Sequence, residues 1–209
     1  MIGAFISNKA TFFLLLSLLA ITARAEPVVL IVGDSLSAAY GIRGDQGWPH
    51  LLDQRLEAEG YAHRVVNASI SGDTTANGLR RLPALLAKHL PAVVVVALGS
   101  NDGLRGLAPP TIADNFQQIR LLFGAMDAIL IVPRVRIPPN YGPAYLDRFD
   151  AVFDSLGDLE DVVLAPFMLR EFAARVSLFQ SDGLHPTAEA QPLILETLWP
   201  TIQQALGPP

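Results

Sequence analysis

The sequence predicts an α/β protein, a three-layer α/β/α sandwich built on about five parallel strands. Two observations predict it. Several short runs are apolar throughout, such as "VVLIV" and "VVVVA", and a strand with no polar face is covered on both sides. These runs alternate with longer segments whose apolar residues recur at helical spacing, the pattern of βα units feeding one parallel sheet.

Residues 27–32 ("PVVLIV") form the first strand. Residues 47–60 ("GWPHLLDQRLEAEG") carry a helical apolar stripe that stops at Gly60. Residues 63–69 give a short second strand. Residues 74–90 give a helix in which Pro83 is expected to start a new segment. Residues 92–99 ("AVVVVALG") form the third strand. Residues 111–126 form a helix with Thr111 as its candidate cap. Residues 128–133 and 161–166 supply the remaining strands, with a helix over 141–156 between them. A closing helix spans 187–206, with Pro192 near its first turn.

The N-terminus reads differently. A weakly basic start is followed by 12 apolar residues at 10–21 and then "TARA", which presents Ala23 and Ala25 in a small-x-small pattern. So short a span before such a site is the layout of a cleaved secretory signal, whereas an uncleaved membrane anchor calls for a longer one. The expected organisation is a signal peptide over 1–25 and a single domain over 26–209. The chain has no cysteine, so a lipid-anchored N-terminus, disulfides and thiolate metal sites are excluded. Cleavage would remove Lys9 and Arg24 and no acid, taking the formal charge from −5 to −7. An acidic exported chain is a poor match for nucleic acid.

In open parallel sheets, sites form outside the carboxyl ends of the strands. The segments there are "GDSLS" after the first strand, "NASISGDTT" after the second and "LGSNDG" after the third. "SDGLHP" precedes the last helix. Together they hold the parts for acyl transfer. Ser35 is a candidate nucleophile and needs a base. His185 can take its proton, and Asp182, three residues before, can hold the other ring nitrogen. An oxyanion needs donors fixed in advance; the Ser35 and Gly72 N–H groups and the Asn101 side chain are the candidates. Asp34 and Asp102 read as braces of their turns.

Other polar residues read as structural. His50, His63 and His89 lack matching partners and read as surface or packing residues. Asn67-Ala68-Ser69 matches a glycosylation sequon but sits at a strand end, where a structural role is expected.

Taken in order, "GDSLS", "SGDTT", "GSND" and "DGLHP" resemble the four sequence blocks of the SGNH (GDSL) hydrolases. The flanks "GWPHLL", "RIPPNYGPAY" and "DGLHPTAEAQP" are similar to the bacterial periplasmic thioesterase, protease and lysophospholipase subgroup of that family. The resemblance implies a flavodoxin-like strand order of 2-1-3-4-5. It implies the triad Ser35, Asp182 and His185, and an oxyanion hole of Ser35, Gly72 and Asn101. It also implies hydrolysis of fatty acyl thioesters, lysophospholipids and simple esters, with no metal and no organic cofactor. The loops after the strands would then hold the acyl chain, with Leu79, Leu104, Leu107, Ile137, Pro138 and Tyr141 as lining candidates. Ser100 departs from the pattern, standing where relatives often have a second glycine.

Two other function classes fit the sequence less well. A lipid carrier without catalysis would be expected to lack one of the serine, asparagine or histidine positions, and none is missing. A nucleotide or flavin binder would need a glycine-rich phosphate loop, which "GDSLS" is not. The expected partner is a small lipid or ester, and the simplest oligomeric state is a monomer.

Overall fold

The computed structural model describes residues 26–124 and 126–209, so the expected signal peptide lies outside the described residues. Five strands form a single sheet: β1 (Val28–Gly33), β2 (Arg64–Asn67), β3 (Val93–Ala97), β4 (Ile129–Pro133) and β5 (Val162–Ala165). All neighbouring pairs are parallel and the order is β2-β1-β3-β4-β5. Leu30 pairs with Val94 in the register of the central pair.

The helices are α1 (Trp48–Ala58), α2 (Thr75–His89), α3 (Ser100–Leu104), α4 (Pro109–Leu121), α5 (Pro143–Gly157) and α6 (Gln191–Leu206). Successive strand residues point to opposite faces, and this splits the core in two. Val28, Leu30 and Val32 of β1 face a cluster built with Leu82 of α2, Phe116 of α4 and Phe153 of α5. Val29 and Ile31 face the other cluster, with Trp48 and Leu52 of α1 and Leu198 and Trp199 of α6. Because side chains on both faces of β1 are fully buried, no position there tolerates a polar residue. The apolar run in the sequence has this physical origin.

Three local expectations are corrected. Pro83 does not start a new segment: it sits on the exposed side of an unbroken α2, where a lost backbone bond can be replaced by water. Thr111 does not cap α4. Pro109 and Pro110 occupy the first turn, with Ala108 as the cap residue, because proline suits positions whose N–H has no helical partner. Residues 139–141 form a separate 3-10 turn, and α5 begins at Pro143.

Candidate active site

The carboxyl edge of the sheet brings the four polar segments together. β1 is buried along its whole length and acts as a rigid mount. At its end, a Cβ on Gly33 would lie 2.7 Å from the Ser37 Oγ, so only glycine allows the chain to fold back this closely. The Ser37 and Ala38 N–H groups then donate to the Asp34 carbonyl at 3.1 and 2.9 Å. This tight turn leaves Ser35 half-buried at the sheet edge. Asn67, the sequon position, is committed to structure: its Nδ2 donates to the Ser37 carbonyl at 2.8 Å and its Oδ1 accepts from Ser69 N–H.

Asp182 and His185 arrive on the segment between β5 and α6. The Asp182 Oδ1 accepts from the Leu184 and His185 N–H groups at 2.9 and 3.0 Å, closing a turn on itself. Its other oxygen meets the His185 Nδ1 at 2.7 Å. The His185 Nε2 lies 2.9 Å from the Ser35 Oγ. A carboxylate, an imidazole and a hydroxyl thus form one hydrogen-bonded chain. The His185 N–H bond, then the imidazole, then the Leu184 N–H hold the Asp182 carboxyl down at about 2. The carboxylate is therefore ionised throughout the neutral range. An ionised acceptor on Nδ1 favours the tautomer that leaves Nε2 free to accept the serine proton.

The segments after β2 and β3 lie beside the Ser35 turn, joined by Asn101. Gly72 has φ +85°, a conformation that favours glycine, and its carbonyl is held by the Arg105 Nη2 at 2.9 Å. Neither the Ser35 nor the Gly72 N–H donates to backbone among the described residues. Asn101 stands in the first turn of α3, and its Nδ2 donates to the Asp73 carbonyl at 2.9 Å. The second proton of that amide faces the Asp34 Oδ2 at a long 3.4 Å.

Asp102 is fully buried and accepts from both the N–H and the hydroxyl of Thr75, at 2.9 and 2.5 Å. It locks α3 to the start of α2. Asp34 is buried too, and desolvation pushes its carboxyl up to about 6, although the Leu36 N–H and the Ser100 side chain pull it the other way. The serine that departs from the family pattern thus contributes to the setting of Asp34.

A cleft of about 640 Å³ opens beside Ser35, Asn101 and His185. Leu104, Ile137 and Pro138 line it, together with Leu36 and Pro139. Leu79 and Leu107 instead pack against the core cluster beneath α2, α4 and α5. Tyr141 turns its hydroxyl to the Leu104 carbonyl at 2.7 Å and its ring toward Tyr145. The sequence reading missed the rest of the wall: Phe167, Leu169, Phe179 and Leu184, with Arg136 and Arg170 among them. Most of these residues fall between β5 and α6, where no periodicity marks them. The hint available was the cluster of large apolar residues around "DGLHP".

Among the described residues, no three histidine or acidic side chains are grouped to hold a metal ion. No described helix is long and apolar enough to cross a membrane.

A parallel five-stranded sheet with a serine, a histidine and an aspartate linked at its carboxyl edge has the layout of a hydrolase that transfers acyl groups. Comparison with known proteins makes the class definite. The sequence model of the GDSL-like lipase/acylhydrolase family matches residues 31–192, and the chain belongs to that family. Esterase TesA of Pseudomonas aeruginosa is 47% identical over 182 residues, which cover 87% of this chain and 90% of that protein. Thioesterase 1/protease 1/lysophospholipase L1 of Escherichia coli K12 is 42% identical over 191 residues, or 91% and 90% of the two chains. The solved structure of the psychrotrophic esterase EstA from Pseudoalteromonas, inhibited by monoethylphosphonate, superposes with a TM-score of 0.81. It is 38% identical, and the match covers 86% of this chain and 98% of that one.

Proposed function

We propose that this protein is an exported serine hydrolase of fatty acyl esters and thioesters, working through an acyl-enzyme. The observation that carries the reading is the continuous chain from the Ser35 Oγ through the His185 imidazole to the Asp182 carboxylate, with links of 2.9 and 2.7 Å. The Ser35 Oγ attacks the substrate carbonyl carbon while the His185 Nε2 takes its proton. The tetrahedral oxyanion is received by the Ser35 and Gly72 N–H groups and the Asn101 amide. The C–O or C–S bond then breaks, and the His185 proton goes to the departing alcohol or thiol. A water molecule, deprotonated by the same imidazole, attacks the acyl-serine; the proton returns to the Ser35 Oγ and the free acid leaves.

The apolar cleft supports an acyl chain as the bound moiety, with Leu104, Ile137 and Phe179 in contact with it. Asp182 orients the imidazole and stabilises it when it carries the proton. The names of the relatives support esters, thioesters and lysophospholipids as the substrate classes. Export rests on the N-terminal sequence, and a monomer is the proposed working form.

The direct test is turnover of p-nitrophenyl butyrate by the wild type and by Ser35→Ala. The variant is expected to lose roughly 10⁴- to 10⁶-fold in kcat. Retained turnover would remove Ser35 from the mechanism. For export, N-terminal sequencing of the secreted protein is expected to begin at Glu26.

A further inference from the structure

The acyl-transfer steps leave one well-defined contact unused. The ring of Tyr40 lies against the imidazole of His185, with centroids 4.3 Å apart and planes inclined by 37°. Tyr40 is 50% exposed, so burial alone does not hold it there. Something else must keep the ring in place.

That function falls to Gln180. Its Nε2 donates to the Tyr40 carbonyl at 2.8 Å and to the Pro186 carbonyl at 3.1 Å. Its own N–H donates to the His185 carbonyl at 2.8 Å. One residue therefore ties the loop carrying the ring to the backbone of His185 and of the residue after it. The segment behind is fixed as well: Phe179 and Pro186 form an isolated antiparallel bridge, and the Thr187 N–H donates to the Leu178 carbonyl.

Ala39, just before the ring, adopts φ +56°. That conformation is costly for a residue with a Cβ, and it persists only where the surroundings enforce it. The backbone is thus held in an unfavourable state that delivers the ring to the imidazole.

The imidazole is then held on three sides. One nitrogen meets Asp182, the other meets Ser35, and one face meets Tyr40. Every acyl-transfer step passes through a protonated imidazole, and the face of an aromatic ring attracts a cation. A ring against the face also restricts the rotation that would take Nε2 away from the serine.

We propose that Tyr40 is a positioning residue for His185: its ring, clamped by Gln180, keeps the imidazole aimed at Ser35 and stabilises it while it carries the serine proton. This rests on the reading of His185 as the general base. The property required is the ring and not the phenol hydroxyl.

The test compares wild type, Tyr40→Phe, Tyr40→Leu and Gln180→Ala on p-nitrophenyl butyrate, after matched thermal melts show that each is folded. Tyr40→Leu is expected to lower kcat about 3- to 10-fold with KM changed by less than about twofold, since no substrate contact is lost. Tyr40→Phe is expected to stay within about twofold of wild type, and Gln180→Ala to fall between the two.

A second readout needs no turnover. In Ser35→Ala protein, the His185 ring protons should carry an upfield NMR shift from the adjacent ring. That shift should survive Tyr40→Phe and vanish in Tyr40→Leu. An unchanged kcat in Tyr40→Leu, or a loss in Tyr40→Phe equal to that in Tyr40→Leu, would overturn the proposal. Retained turnover in Ser35→Ala would instead overturn the assigned acyl transfer, while the ring-current shift would still report whether the stack forms.

Discussion

The Asn101 side-chain amide donates to the backbone carbonyl of Asp73 at 2.9 Å, joining the segment after β3 to the segment after β2. Because the amide is anchored through one proton, its other proton has a fixed direction: it faces the Asp34 Oδ2 at a long 3.4 Å, a weak bond that an oxyanion would displace. A donor whose direction is set before the reaction is what an oxyanion requires.

Replacing Asn101 by alanine should therefore lower kcat roughly 10²- to 10³-fold and leave KM nearly unchanged. Steady-state kinetics on a short aryl ester checks this. Asn101→Asp, which keeps the size but brings a carboxylate toward the oxyanion, should be at least as impaired.

Asp182 makes a different contribution. It accepts two backbone N–H bonds as well as the imidazole, so it shapes the turn in addition to orienting His185. In Asp182→Asn the Oδ1 can still accept both backbone N–H bonds, but the amide that replaces Oδ2 cannot accept the Nδ1 proton. The expected loss is roughly 10²- to 10⁴-fold in kcat with the fold intact, measured by kinetics beside a circular dichroism spectrum.

Stability should carry the mark of Asp34. Burial raises its carboxyl from 3.8 to about 6. Between those two values the folded chain keeps a proton that the unfolded chain has released. Stability therefore falls as pH rises through that window, by on the order of 3 kcal/mol, and the effect is complete above it. Asp182 acts with the opposite sign. Its carboxyl is lowered, so its contribution is present above pH 3.8 and is lost as pH falls toward about 2. Urea melts at pH 4 and pH 7 should show a smaller loss of stability between the two for Asp34→Asn than for wild type.

The cleft gives a specificity prediction. Leu104 lies beside Asn101 on α3 and lines the apolar wall. Leu104→Trp should fill part of the space. On a series of p-nitrophenyl esters, kcat/KM is expected to fall about tenfold or more for long acyl chains and to stay within about twofold for acetate. A uniform loss across the series would place the acyl chain elsewhere.

Much of this architecture was legible because the central strands are buried on both faces. Val93 to Val96 have no polar side, and a run of that kind has few alternatives in a soluble domain. The rule that parallel sheets present their sites at the carboxyl edge pointed to the segments of Ser35 and Asn101, while Asp182 and His185, on the segment between β5 and α6, were picked out by their spacing and by the family resemblance. What stayed hidden was decided by tertiary packing. The five residues of α3 sit inside "GSNDGL", too short a span to show a helical period. Leu79 and Leu107 are as suited to a core as to a groove, and only the helices packed around them settle which. The wall from Phe167 to Leu184 is assembled from 3-10 and irregular turns, whose side chains meet the site through long-range contacts that no local pattern encodes. The approach of Tyr40 to His185 is of the same kind, since it depends on Gln180 reaching back across the fold.

The central claim is that the hydroxyl of Ser35 carries the acyl group. Rapid quenching of p-nitrophenyl butyrate turnover, followed by peptide mass mapping, tests it most directly. A butyryl adduct on Ser35, absent in Ser35→Ala, is the expected result. An adduct on another residue, or continued turnover with no adduct in the Ser35→Ala protein, would contradict it.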